Sequence, residues 1–228
     1  MRIERFSLIS GARKARGLAV VIDVFRAFTT AAYVMANGAE RIIPVGDLEK
    51  AFDLKRLHPD WLLMGEREGR RVEGFDYGNS PFEIKDVDFS GRTVIQTTGA
   101  GTQGLVNATG ADEILLGSFV MVGAIVEHIC RMKPDVVSLV AMGSVGVERS
   151  MEDELCASYI EESFTGAIPD FEEMKRRIRE APSGAKFFDP DRPQFREEDF
   201  HMALEIDRFD FILRVLKDDH LYVVKKEP

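Results

Sequence analysis

The feature that most constrains this chain is a rhythm in which short, β-branched apolar runs recur between stretches of helical spacing. The runs are "LAVVIDV" (18–24), "RIIPV" (41–45), "WLLMG" (61–65), "TVIQTT" (93–98) and "VVSLVAMG" (136–143), with "EILLGS" (113–118) as a sixth. They are continuous rather than alternating, which is the pattern of strands covered on both faces. Between them the spacing predicts helices over 29–37, 47–57, 101–109 and 120–132, closed by "NG", "HP", "TG" and "KP" breakers. Strands alternating with helices make βαβ units, so the expected class is α/β: a three-layer α/β/α fold with a largely parallel or mixed central sheet. The C-terminal "DFILRVLKDDHLYVVKK" is expected to supply a helix ending near Lys217 and a last strand, Leu221–Val224, at the sheet edge.

A chain of 228 residues can bury one large core, and no internal repeat, low-complexity tract or Gly/Ser linker divides it, so one domain is expected. "PSGAKFFDPDRPQ" (182–194) reads as a Pro-rich surface loop. Hydrophobic content of 45% with 30% charged residues suits a soluble globular protein and argues against disorder. No apolar run reaches the roughly 18 residues of a membrane span. The first ten residues lack a secretory signal, so the expected location is cytoplasmic. Cys130 and Cys156 show no metal-site spacing and are expected to be buried, reduced thiols. A formal charge of −9 argues against nonspecific nucleic-acid binding. It also means that an anionic substrate must be met by locally gathered arginines or by a metal.

In open α/β sheets ligands bind beyond the carboxyl ends of the strands, so the residues after each run are the candidates. Asp23 and Arg26 follow the first run, Glu66 and Arg67 the third, and "TTGAGT" (97–102) the fourth; Ser118 follows the sixth, and "SVGVERSMEDE" leads to Glu152 and Asp153. Each has a plainer use. Asp23 can cap the next helix, "TTGAGT" can be a tight turn, and "SMEDE" can start a helix with Ser150 as N-cap and Asp153 at the capping-box position. Their convergence on one edge favours a site, where carboxylates drawn from Asp23, Glu66, Glu152 and Asp153 can hold Mg²⁺ through oxygen ligands. The stretch "GEREGRRVEGFDYGNSP" (65–81) is crowded with arginines suited to phosphate or carboxylate, and it sets Asn79 and Ser80 in a turn before a proline. Arg70 and Arg71 can equally be solvated surface.

"VVIDVFRAFTT", "GEREG", "GFDYGNSP", "TTGAGT", "LLGSF" and "MEDELCA", in that order, resemble the 2-phosphosulfolactate phosphatase (ComB) family over roughly residues 18 to 160. The resemblance implies an α/β/α fold over residues 1–228 and Mg²⁺-dependent hydrolysis of (R)-2-phospho-3-sulfolactate to 3-sulfolactate and phosphate, in coenzyme M biosynthesis. On this reading Asp23 is a metal ligand, nucleophile or base, and Arg26 and Arg67 stabilise the phosphoryl oxygens. Thr98, Gly99, Gly101 and Thr102 cradle the anion, and Asn79, Ser80 and Ser118 contact the small phosphate-ester substrate. Two positions depart from the family's pattern: Ala100 replaces an asparagine of "TTTNGT", and Met121 replaces the amide of "GSFLN". A phosphatase for another small 2-phospho-carboxylate and a noncatalytic anion-binding protein are the alternatives. Phe187, Phe188, Phe195 and Phe200 can cover a homo-oligomer interface or form a lid over the site.

Overall fold

The computed structural model describes residues 1–166, 169–218 and 221–228. Its strands are β1 (Arg2–Ser7), β2 (Gly17–Ile22), β3 (Arg41–Pro44), β4 (Leu62–Arg67), β5 (Arg70–Arg71), β6 (Thr93–Thr97), β7 (Ala111–Gly117), β8 (Val136–Ala141), β9 (Ile212–Asp218) and β10 (Leu221–Glu227). All six apolar runs of the sequence are strands. They join one sheet in the order β1-β8-β2-β7-β9-β10-β3-β6-β4-β5, with helices packed against it, a three-layer α/β/α arrangement.

Two blocks of parallel strands, β1-β8-β2-β7 and β3-β6-β4, are joined by the antiparallel hairpin β9–β10. Here the structure corrects the sequence reading twice: residues 212–218 are a strand rather than a helix, and the last strand is central rather than at an edge. Seven residue pairs along the hairpin satisfy the backbone, and Ile212, Leu213, Val223 and Val224 are buried between the blocks. That pairing overrides the modest helix preference of Leu, Arg and Lys. β1 also went unanticipated, because a half-exposed edge strand lacks a continuous apolar run.

The expected helices are Ala27–Ala36, Leu48–Leu57, Gly101–Asn107 and Val122–Met132, the last entered through a 3₁₀ turn at Phe119–Met121. Asp47 caps the second by accepting from the Lys50 amide at 2.7 Å. The first half of the 182–194 segment is packed rather than a surface loop, with a short helix at Pro182–Ala185 and a 3₁₀ turn at Lys186–Phe188, while residues 190–193 form the expected exposed turn. Phe187 and Phe200 are buried, and Phe25 lies 4.8 Å and 5.5 Å from their ring centroids. These aromatic rings tie the segment to the turn after β2. Cys156 is buried as expected, whereas Cys130 is exposed on its helix. No described helix is long and apolar enough to cross a membrane.

Candidate active site

The carboxyl ends of β2, β4, β6 and β8 meet at a cavity of about 830 Å³. Asp23, Arg26, Glu66, Arg67, Asn79, Thr98, Gly99 and Glu152 of the anticipated residues line it. Because β2 and β6 belong to different blocks, the site lies between the two halves of the sheet. The approach is close: a Cβ on Gly101 would stand 2.8 Å from Asp23 Oδ2, so glycine is needed there.

Asp23 ends β2 and accepts from the Ala27 amide at 3.2 Å, so it caps the following helix while facing the cavity. Burial pushes its carboxyl up to about 7, and the charges of Glu66 and Glu152 add to the rise. Glu152 is likewise raised by burial, against the lowering effect of a short hydrogen bond from Ser183 Oγ. Glu66 accepts from the Gly69 and Gly99 amides at 2.8 Å and 2.9 Å. The glycine-rich loop therefore spends an N–H on a carboxylate that the sequence reading reserved for an anion. Thr98 and Thr102 bond each other reciprocally, amide to hydroxyl, at 3.0 Å and 3.3 Å.

Five anticipated residues stand behind the lining. Asp153 lies beneath the cavity, where its two oxygens accept from the Val24 and Gly143 amides at 2.8 Å each. It clips the ends of β2 and β8 to the helix Met151–Ser163 instead of closing a capping box. Burial holds its carboxyl well above the usual range, with Glu152 and Asp23 contributing. Ser118 bonds Thr29 Oγ1 at 2.7 Å, and Ser80 donates to Asp199 at 2.7 Å while capping a short helix. Gly101 and Thr102 shape the loop from outside the lining.

Arg26 is held by the protein. Its guanidinium donates to Asp199 Oδ2 at 2.8 Å, to the Gln194 carbonyl at 3.0 Å and to the Gly69 carbonyl at 3.0 Å. Asp199 is fully buried and also accepts from the Phe82 amide, so this ion pair fastens three segments over the site. The Phe25–Arg26 peptide is cis. Glu68 and Gly69, with φ of 55° and 77°, form the two-residue turn joining β4 to β5. A Cβ on Gly69 would stand 2.5 Å from the Phe195 ring.

Lys186, Ser183, Gln194 and Asp199 were missed, all in or beside the segment read as a solvated loop. Four phenylalanines around it were the available signal, since a solvated loop has no need of them. Among the described residues six cations line the cavity, namely Arg26, Arg67, Arg70, Arg149, Lys186 and Arg192, against five carboxylates, so the lining is more positive than the acidic chain as a whole. Of the two departures from the family pattern, Ala100 lines the cavity, while Met121 is fully buried in the core.

The donor set suits Mg²⁺. Asp23, Glu66 and Glu152 offer oxygen ligands, and the charges of Glu66 and Glu152, which raise the proton affinity of buried Asp23, would be offset by a cation. Among the described residues no group of three or more His, Cys, Asp or Glu side chains is placed to hold a metal ion. Mg²⁺ ordinarily uses only one or two carboxylates, with water and phosphate oxygens completing its shell.

A family model for 2-phosphosulpholactate phosphatase matches residues 5–218. A probable 2-phosphosulfolactate phosphatase of Caldicellulosiruptor saccharolyticus is 42% identical over 156 residues, covering 67% of this chain and 64% of that protein. Another from Bacillus subtilis is 30% identical over 210 residues, covering 91% and 90%, and one from Thermotoga petrophila is 40% identical over 142 residues, covering 62% and 60%. The match to the first of these thus spans just under two thirds of that relative's length. With the family model covering nearly the whole chain over the fold and cavity described above, the chain belongs to the 2-phosphosulpholactate phosphatase family.

Proposed function

We propose that the chain is a Mg²⁺-dependent phosphatase of the cytoplasm that hydrolyses (R)-2-phospho-3-sulfolactate to 3-sulfolactate and phosphate, a step of coenzyme M biosynthesis. The observation that carries this reading is the placing of Asp23 between Glu66 and Glu152 in a cavity rich in cations, its carboxyl near neutrality. Glu66 and Glu152 would hold Mg²⁺. When bound, the metal neutralises phosphoryl charge and lowers the pKa of water. Asp23, capping its helix and therefore fixed in place, receives the proton of the attacking water. Glu66 is oriented by two backbone amides, and Arg67 is braced by the Glu66 carbonyl and Thr97 Oγ1 at 2.6 Å and 3.0 Å. Both present fixed charge to the reacting group without reorganising.

Phosphate release from 2-phosphosulfolactate, measured beside phospholactate and phosphoglycolate with Mg²⁺ and then with EDTA, tests this. Release is expected with metal, is lost on chelation, and prefers the sulfonate. Turnover of the other two esters alone would instead favour a shifted substrate, a second reading motivated by Ala100 at the cavity wall. Mg²⁺-dependent binding with no release from any ester would leave an anion-binding protein.

A further inference from the structure

The lining cations differ in how far they are already committed. Arg26 has three protein partners, and Arg67 has two. Arg149 bonds Ser7 Oγ and pairs with Glu154 at 3.2 Å, and Arg192 pairs with Asp189 at 3.4 Å. Arg70 is exposed on the β5 rim. Lys186, like Arg70, has among the described residues neither a side-chain hydrogen bond nor a carboxylate within 4.0 Å, but of the two only Lys186 is half-buried. Its Nζ lies 4.7 Å and 5.5 Å from the Phe195 and Phe187 ring centroids, so aromatic faces hold the ammonium in place without consuming its three donors.

A second observation points to a ligand in the same cavity. Buried polar atoms are ordinarily paired. Asn79 Oδ1 and Gln194 Oε1 are buried without a partner, and both residues line this cavity. The two amide oxygens can only accept, so they suit a hydroxyl or other donor of a ligand, while the uncommitted ammonium suits its anionic oxygen.

We propose that Lys186 is a catalytic residue whose ammonium takes an anionic oxygen of the substrate beside Asp23 and Glu152, an inference that rests on the phosphatase reading of the cavity. Burial lowers the proton affinity of Lys186, and the charges of Glu152 and Asp23 oppose that change. The ammonium therefore stands within electrostatic reach of both carboxylates. The segment 182–195 then has a function beyond closure: it delivers a half-buried cation that has no hydrogen-bond partner among the described residues.

Full-length wild type, Lys186→Met, Lys186→Arg and the exposed control Lys14→Met would be compared in two assays. One is phosphate release from 2-phosphosulfolactate with Mg²⁺; the other is calorimetric titration with inorganic phosphate. Lys186→Met is expected to lose roughly 10- to 100-fold in kcat/KM and to weaken phosphate binding in parallel, the range of a charge-assisted hydrogen bond. Lys186→Arg should restore most of both, which a purely structural role for the stem would not require, and Lys14→Met should match wild type. Equal kcat/KM in Lys186→Met and wild type would overturn the proposal. If wild type releases no phosphate from any ester, the phosphatase reading fails, and the titration still decides Lys186. Undiminished phosphate binding in Lys186→Met, or none by wild type, would sink it.

Discussion

Asp23 illustrates how one residue can serve activity at the expense of stability. Its carboxyl titrates near 7 in the fold, against 3.8 for the unperturbed group, and burial is the main cause. The folded state therefore holds the proton more tightly than the unfolded chain. The stability this brings is complete below about pH 4 and is lost as pH rises from there through about 7. Asparagine keeps the oxygen that accepts from the Ala27 amide but never ionises. In EDTA, Asp23→Asn is expected to be more stable than wild type at pH 8, by on the order of a few kcal/mol, with the gap closing towards pH 4. The same variant should show no turnover with Mg²⁺. Urea denaturation across this pH range together with the phosphate assay checks both halves, and a variant with wild-type kinetics would remove Asp23 from the chemistry.

At the scale of elements, the site depends on strand ends held in register by side chains from elsewhere. Asp153, at the start of the helix Met151–Ser163, gives one oxygen to the end of β2 and the other to the end of β8. Replacing it with alanine leaves two buried amides without acceptors. Asp153→Ala is expected to cost about 2–5 kcal/mol in urea denaturation, and Asp153→Asn about 1–3, since the amide retains a single acceptor. A loss under 1 kcal/mol for the alanine variant would contradict the clip. The sequence marked this acid as useful but not for what, because a helix start looks the same whether its carboxylates cap the helix, bind a metal or fasten neighbouring strands.

For the whole molecule, the hairpin β9–β10 decides whether there is one sheet or two. β9 meets β7 through two residue pairs, and β10 meets β3 through one, so the join relies on buried side chains as much as on backbone bonds. Ending the chain after Asp210 should abolish cooperative folding rather than trim an edge, which circular dichroism and a thermal melt would read. A soluble, cooperatively melting truncation would show that the blocks stand without the hairpin. The α/β class, six strands, four helices and the cluster Asp23, Glu66, Arg67, Asn79 and Glu152 were all legible in the sequence. Continuous apolar runs identify buried strands, and polar residues immediately after them identify the ligand edge. The C-terminal hairpin was misread because its residues suit a helix locally and become strands only between two waiting blocks. Lys186 and Asp199 were invisible for a related reason. The phenylalanines around them signalled a packed segment but not which polar residues it turns to the cavity, since that depends on their packing against a turn more than 150 residues away. The sequence by itself determined which segments are buried and which edge is polar, because those follow from local pattern. Only the tertiary structure decided which carboxylates face the cavity, which brace its floor, and which half-buried cation keeps its donors unused, because these depend on contacts between distant segments.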